Sequence, residues 1–569
     1  MSSKNILSHS CEHLLAYAIL NTYPHTLLGT DSKPHHNGFY YEVRLEKQLT
    51  TSDLTEIEKE MRRLISLSLN FYHFDLRHKE AISLFSLCKQ IYKIEILKDI
   101  KSNSVSIYKC GNYFDLCRGP HIKNLNQIKE FKLLNISSSY WKSNKQNAIL
   151  YRIAGMAFPS INDLNSYLKL LEESKKRDHR NLASSFDLFS ASNPLIGAGL
   201  NIWLPNGAII RSVIEDYLKK IHLLNGYNFV YSPHIASIDL WKTSGHWAYY
   251  KDSMYPPMCV DKSSYVLKPM NCPFHITAFK AHQHSYRDLP IRLAEFGTVY
   301  RYELPGVLHG LLRLRGFTQD DSHIFCEFSQ IDLELRNIIS LALTILKKFG
   351  FCKFEVTIST RPDKYIGTLK QWEIAEDSLK KAILYHNLKY SIDIGNGAFY
   401  GPKIDIKLKD SLNRLWQCST IQLDFINALQ FDINFINKHG KLEHPIIIHR
   451  ALLGSFERFI GILIEEYAGA FPFWLAPEQI RILNISEKHI SFSKSIESIL
   501  KHEGFRVKTF LKNEPLSAKI RNAQTDKIPI VLIIGDKEIS EKQVAIRLRN
   551  SSHLSMEINS LIAYLKQLE

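Results

Sequence analysis

The chain has 569 residues, 45% of them hydrophobic and 23% charged, an ordinary globular composition that excludes disorder as the default and suggests three or four domains at roughly 100–200 residues each. No run of about 18 apolar residues occurs, which excludes a membrane-spanning helix. The net charge of +15 favours a polyanionic partner, because Lys and Arg displace counterions condensed on phosphates; a Lys-rich codon bias is the plainer source of the same surplus.

Four stretches follow in chain order. The first, 1–163, holds a helical segment at Ser8–Ile19 and short strand-like runs at Phe39–Leu45 and Ser104–Lys109. The partly apolar run Leu14–Leu28 is broken by Asn21, Pro24 and His25 and has no cationic lead-in, so it is not read as a signal peptide. The second stretch, 164–180, reads as a charged helical linker ending in Lys175-Lys176-Arg177-Asp178-His179-Arg180, either a solvated helix face or a basic surface near RNA. In the third, 181–473, period-2 alternation predicts a strand at Phe354–Ser359, then a hairpin of Ile404–Lys409 and Leu415–Phe425 turning at Asp410–Asn413. Ser455–Ala468 reads as a buried helix. The fourth, 474–569, alternates strands (480–485, 505–511, 528–534, 543–548) with helices (489–502, 518–525, 556–568) and predicts a separate α/β domain beyond Pro472 and Pro477. Nine scattered cysteines form no disulfide framework and read as thiols of a reducing cytoplasm.

Neither a phosphate-binding G-x-x-x-x-G-K-[ST] loop nor a G-x-G-x-x-G fingerprint is present. Any nucleotide phosphates would be held by side chains on a sheet. Cys272, His323 and His449 are of the right types for a zinc site with an open position, although on spacing alone structural roles are commoner. Arg301-Tyr302-Glu303, a loop with Gly306, His309, Gly310, Arg313 and Gly316, and then Phe317 form a second group. Gly454-Ser455-Phe456-Glu457-Arg458 opens the apolar helix. Arginine's planar fork suits phosphate and can stack on a purine; surface ion pairs are the alternative.

Together these segments resemble the class II aminoacyl-tRNA synthetases, with Arg301 to Phe317 as the second signature motif, Gly454 to Arg458 as the third and Gly226–Pro233 where the first belongs. The runs LKPMNCP, VLHGLLRLRGFTQDDSHIF, GAFYGPKIDI and HRALLGSFERFIGILIEEYAGAFPFWLAPEQ are similar to those of threonyl-tRNA synthetases. The resemblance implies an α+β multidomain protein: an N-terminal α+β editing domain, a class II core on an antiparallel sheet, and a C-terminal α/β anticodon-binding domain. It implies ATP-dependent activation of threonine, transfer to tRNA(Thr), and hydrolysis of mischarged Ser-tRNA(Thr). Cys272, His323 and His449 would bind one Zn²⁺ that holds threonine, with Asp321, Tyr400 and Gln422 around it. Arg301, Glu303, Arg313, Phe317, Gln319, Gln417 and Arg458 would bind ATP with Mg²⁺, and Arg301, Arg458 and Lys403 would act in catalysis. Such a reaction needs in-line positioning and neutralised phosphate charge. A pocket that demands a hydroxyl rejects valine, whereas serine lacks only a methyl and leaks through; a second sieve is required.

For that sieve, His9 and His13 fall one helical turn apart, and Asp115-x-Cys117-x-x-x-His121 adds a thiol and another imidazole. His9-Ser10-Cys11-Glu12-His13 also matches H-x-x-E-H, the inverzincin peptidase pattern, which would leave the third stretch unexplained. The resemblance implies an editing site of His9, His13, Lys93, Asp115, Cys117 and His121, with metal occupancy left open. It also implies anticodon reading by Asn513, Glu538 and Arg547, a homodimer, and a cytoplasmic enzyme without the family's N-terminal ubiquitin-like domain. Departures from the family pattern are Phe274 in place of glycine beside Cys272, Leu304-Pro305 in the motif 2 loop, and Pro515–Ala518. Phe274 requires negative φ there, or strain. A non-catalytic, synthetase-like RNA-binding protein is the competing reading.

Overall fold

The computed structural model describes residues 3–31, 38–144, 146–190 and 194–568. It divides into two compact units, 1–172 and 173–569, and the division falls within the helix Ile161–Arg177.

In the first unit the helix Ser3–Thr22 is buried on every side from Ser8 to Ile19. No polar stripe faces water, which places His9, Glu12 and His13 in the interior. Around it lie an antiparallel sheet in the order Leu27–Asp31, Gly38–Arg44, Ile149–Phe158, Glu130–Tyr140 and the amphipathic helix Thr51–Ser66. Leu15, Ile19, Tyr41, Ile57, Met61 and Phe131 make its core. A second sheet orders Phe71–Arg77, Ser104–Cys110 and Tyr113–Leu116.

The linker differs from the single helix expected over 164–180. Ile161–Arg177 ends, the side chain of Asp178 accepts the Arg180 N–H, and a new helix runs His179–Phe186. An aspartate at this N-cap satisfies an otherwise orphaned donor. The basic run is therefore no uniform solvated face: His179 is fully buried and Arg177 donates to the Glu466 carbonyl.

An eight-stranded sheet carries the second unit, in the order 228–229, 291–300, 316–326, 446–451, 415–424, 403–409, 354–359, 390–393. Only its two outermost pairs are parallel. The expected hairpin is present as Lys403–Lys409 and Leu415–Asp424; Asp410 accepts the Leu412 and Arg414 N–H groups, and Asn413 takes positive φ. Behind the sheet, Phe456–Tyr467 is almost wholly buried. Each fully buried Ile, Leu or Phe there stabilises the fold by about 1.5–3 kcal/mol. Ser455 caps its start through the Arg458 N–H, and Ala468 at φ 49° ends it.

The C-terminal sheet orders Val507–Phe510, Ile480–Asn484, Ile530–Ile534, Gln543–Leu548 and His553–Glu557, the first three parallel. The helices Asp536–Glu541 and Ile558–Lys566 differ from the expectation of one closing helix from 556. The added strand His553–Glu557 is mostly exposed, so no alternation marks it in the sequence. Among the described residues no helix is long and apolar enough to cross a membrane.

Candidate active sites

Alternation along Gly316–Cys326 turns Phe317, Gln319, Asp321 and His323 to one face. Cross-strand pairing then aligns His323 with His449, His449 with Gln422, and Gln422 with Lys403. One row across four strands thus collects residues far apart in sequence. Parity alone would turn Gln417 away from Thr420 and Gln422. A β-bulge at Cys418 restores it, since Ser419 pairs with Ile406 and Gln417 with Lys407. Gln417 then donates to Asp405 at 2.7 Å beside Thr420.

Above this face is a cavity of about 480 Å³. Every residue predicted for zinc, threonine and ATP lines it: Cys272, His323 and His449; Asp321, Tyr400 and Gln422; Arg301, Glu303, Arg313, Phe317, Gln319, Gln417 and Arg458; and Lys403. Arg301 lies over the Phe317 ring at 5.1 Å. Arg313 pairs with Glu303 at 3.0 Å; in that half-exposed place the pair is worth at most about 1 kcal/mol and exchanges readily for a ligand. Burial, together with Arg301 and Arg313 nearby, lowers the Arg458 pKa below its usual range. Three converging guanidinium groups make this end fit for a polyphosphate.

At the other end the sulfur of Cys272 and ring nitrogens of His323 and His449 lie within 4.8 Å of one another. Burial, then Asp321 and Asp424, pushes the Cys272 thiol up; burial, then His449 and His275, pushes His323 down. Without a cation Cys272 and His323 stay uncharged, and a divalent ion would reverse this for the thiol by stabilising the thiolate. The supporting groups suit a metal. His449 Nε2 meets Asp424 at 2.8 Å, and His323 Nδ1 meets His275 Nδ1 at 2.9 Å, with Glu295 on the far side of His275 at 3.1 Å. Such partners fix tautomer and ring direction and leave the other nitrogen for the ion. Asn271 donates to Asp321 at 3.1 Å.

Sequence reasoning missed Asp424, His275, Glu295 and Asn271. His275, one turn past Cys272 on the helix Cys272–Lys280, carried a usable signal; Asp424 and Glu295 carried none without the register. Phe274 takes ordinary helical backbone, so no strain arises, and its ring packs edge-on to Trp241 at 5.9 Å.

In the first unit, donor atoms of His9, His13, Cys117 and His121 lie within 4.8 Å of one another. The Cys117 sulfur is 3.2 Å from both His9 Nε2 and His121 Nε2. His121 Nδ1 meets the Ser10 hydroxyl, and His9 Nδ1 the Pro120 carbonyl. Burial first, then His13 and His9, pushes His121 far down and keeps it neutral. Lys93 and Asp115 form an adjoining buried pair at 2.8 Å. Tyr113 donates to Asp115 at 2.9 Å and also packs edge-on against His13, joining the two groups. Tyr41 hydrogen-bonds both Lys93 and Asp115. Neither tyrosine stands out in the sequence, since tyrosine is frequent in this chain and the two are far apart.

In the C-terminal sheet, exposed Asn513 and the helix bearing Glu538 follow the same ends of parallel strands. Arg547, half-buried, is not brought to that end: it pairs with Val531, near the start of the strand Ile530–Ile534. Glu538 also accepts the Gly535 N–H at 2.9 Å, and Arg547 reaches His553 at 3.3 Å.

Comparison with known proteins supplies the family. Residues 258–467 match the tRNA synthetase class II core domain (G, H, P, S and T), 479–568 the anticodon binding domain, and 105–154 the threonyl and alanyl tRNA synthetase second additional domain. A threonine–tRNA ligase of Sulfurihydrogenibium sp. (strain YO3AOP1) is 46% identical over 572 residues, covering 100% of this chain and 89% of that protein. One from Dehalococcoides mccartyi (strain CBDB1) is 48% identical over 556 residues, covering 98% and 95%. The solved RNA binding domain of threonyl-tRNA synthetase from Cryptosporidium parvum Iowa II superposes with TM-score 0.67 at 40% identity, over 69% of this chain and 98% of that one. A putative threonyl-tRNA synthetase from Aeropyrum pernix gives 0.62 at 31%, over 69% and 95%. This chain belongs to the threonine–tRNA ligase family.

Proposed function

We propose that the chain activates L-threonine with ATP, transfers it to tRNA(Thr), and hydrolyses Ser-tRNA(Thr) in its first unit. The single observation that carries this is the cavity that places three arginines at one end and a Cys-His-His donor set at the other. Arg301 and Arg458 neutralise the α-phosphate and the outgoing pyrophosphate, and Phe317 stacks on adenine. Glu303 releases Arg313 to the phosphates and takes up the adenine amino group; Mg²⁺ accompanies ATP. Lys403, in contact with Asp405 at 2.8 Å, and Gln417 and Gln319 complete the nucleotide side. Cys272, His323 and His449 fit zinc, which when bound supplies a Lewis-acid face for the amino and hydroxyl groups of threonine. Asp321 accepts the substrate hydroxyl, and Tyr400, hydrogen-bonded to Gln422, closes the pocket. A ligand without that hydroxyl leaves buried polar groups unpaired, so valine is rejected.

In the first unit, His9, His13, Cys117 and His121 cradle the seryl ester. A neutral imidazole, with the Lys93–Asp115 pair beside it, activates water. Asn513, Glu538 and Arg547 meet anticodon bases, as splayed single-stranded loops require. Exposed Leu223, Leu224 and Tyr231 around the first motif support a homodimer, and nine unbridged cysteines a reducing cytoplasm.

The test is threonine-dependent ATP–pyrophosphate exchange by zinc-loaded protein, with serine and valine in parallel. Strong exchange with threonine, some with serine and little with valine is expected. Folded, zinc-containing protein that gives no exchange with threonine would overturn the reading in favour of a non-catalytic RNA-binding role.

A further inference from the structure

The turn that presents Arg313 is held from behind by a residue of the linker. Residues His309 to Arg313 form a tight turn: His309 N–H donates to the Arg313 carbonyl at 3.1 Å, and Leu312 N–H to the His309 carbonyl at 2.9 Å. The Leu311 N–H points out of that turn and donates to His179 Nε2 at 3.0 Å. His179 is wholly buried, and its Nδ1 is 2.6 Å from Glu465. An acceptor Nε2 beside a carboxylate-bound Nδ1 allows one form only, the neutral imidazole with its proton on Nδ1.

Glu465 is fixed in turn. Burial alone would raise its pKa, but the bonds from His179 and Arg414 hold it below the ordinary range. It lies on the same face of the Phe456–Tyr467 helix as Gly461 and Arg458, at i, i+3 and i+7. A side chain at Gly461 would meet Leu311 and Leu312 at 3.2 and 3.1 Å, so the turn rests directly on that glycine. Arg458 Nε donates to the Leu312 carbonyl at 3.1 Å. One helix thus grips the turn twice, directly through Arg458 and indirectly through Glu465 and His179. Gly310, at φ 47°, completes the fit: a Cβ there would lie 2.1 Å from His179 Nε2.

We propose that His179 is a positioning residue for ATP: its acceptor nitrogen sets the Leu311 amide, which fixes the spacing between Arg313 and Arg458. The proposal rests on the assignment of those two arginines to the phosphates. A buried imidazole that merely fills space has no need of a particular tautomer.

Two substitutions separate these roles. In His179→Gln the side-chain oxygen stands near the Nε2 position and can accept from Leu311. In His179→Asn the amide stands near Nδ1, keeps Glu465 and loses Leu311. The measurement is KM for ATP, KM for threonine and kcat in pyrophosphate exchange, with thermal midpoint and Ser-tRNA(Thr) hydrolysis as controls. His179→Asn should raise KM for ATP about tenfold while leaving that for threonine within about threefold, and His179→Gln should stay within about threefold for both. Equal effects of Asn and Gln, or an unchanged KM for ATP in folded His179→Asn, would overturn the proposal. Should His179→Asn not fold, Gly310→Ala pushes the turn from its other side and must reproduce the ATP-selective defect; an unchanged KM for ATP there overturns the proposal equally. Absence of exchange in the wild-type protein would instead defeat the assignment of the arginines.

Discussion

Each compact unit holds a cluster of imidazoles around one buried cysteine, and the two clusters are supported differently. In the second unit, carboxylates stand behind the imidazoles: Asp424 on His449, and Glu295 on His275, which meets His323. In the first unit one nearby carboxylate, Asp115, is taken by Lys93, Tyr41 and Tyr113, while His9 and His121 bond a backbone carbonyl and a serine hydroxyl. Carboxylate support raises ligand basicity and suits an ion. Support by neutral groups leaves an imidazole uncharged and able to accept a hydrogen bond from water. The lesson is that the donor set alone does not say what a His/Cys cluster does; the groups behind the donors do.

The sharpest way to break this comparison is to remove each cysteine. Cys272→Ala should abolish stoichiometric zinc and lower threonine-dependent exchange about a thousandfold, while Ser-tRNA(Thr) hydrolysis persists. Zinc analysis and the two activity assays check this; zinc retained in Cys272→Ala but lost in Cys117→Ala would invert the comparison. Next in size, His13→Ala or Lys93→Ala should slow Ser-tRNA(Thr) hydrolysis about 10²–10⁴-fold and leave pyrophosphate exchange intact. A matching loss of exchange would show that the two units do not act separately.

Legibility in the sequence depends on period and register. Phe317, Gln319, Asp321 and His323 recur at every second residue, and that spacing by itself puts four side chains on one face of a strand. The hairpin of 403–409 and 415–424 is equally plain, with Asp410 and Asn413 supplying its turn. The bulge at Cys418 is not, since nothing in Trp416-Gln417-Cys418-Ser419 marks an extra residue. Supporting groups are harder still. Asp424 and Glu295 act through partners that only folding brings near, and Tyr41 reaches Asp115 from another strand, whereas Tyr113 stands two residues before Asp115 on the same strand. The helix Ser3–Thr22 is legible at Ser8–Ile19, but its burial on every side over that span is not, since it has little of the amphipathic pattern that separates an inner face from an outer one. The fully buried His179 reads as part of a charged run because its neighbours in sequence are Lys and Arg.

A smaller effect sharpens the comparison at the supporting groups themselves. Asp424→Asn removes the carboxylate behind His449 and should weaken zinc binding about 10–100-fold, read by competition with a chelator. An unchanged affinity would mean that the His449 ring is oriented by packing against Tyr400, whose ring centre lies 5.1 Å away.

The smallest expected effect concerns a buried carboxyl on the opposite face of the same strand. Asp320 accepts N–H groups of Leu452, Leu453 and Gly454 at 2.8–3.1 Å, just ahead of the helix that carries Arg458. Arg450, whose charge acts on Asp320, makes no side-chain hydrogen bond among the described residues and stacks on Tyr227 at 4.3 Å. Burial is the dominant influence and raises the Asp320 pKa from 3.8 to about 6, against the pull of Arg450 and the amides. With the folded pKa above the unfolded one, the folded state holds the extra proton between about pH 4 and 6. The stabilisation is complete below that window and is lost as pH rises through it. Asp320→Asn has no such proton to lose. From pH 4 to 7 the thermal midpoint of the wild type should therefore fall relative to Asp320→Asn, by about 2–4 °C. The opposite slope would show that the three amides and Arg450 outweigh burial. In that case Asp320 is a carboxylate throughout, and the turn into the Arg458 helix is held by charge as firmly as Asp115 is held by Lys93.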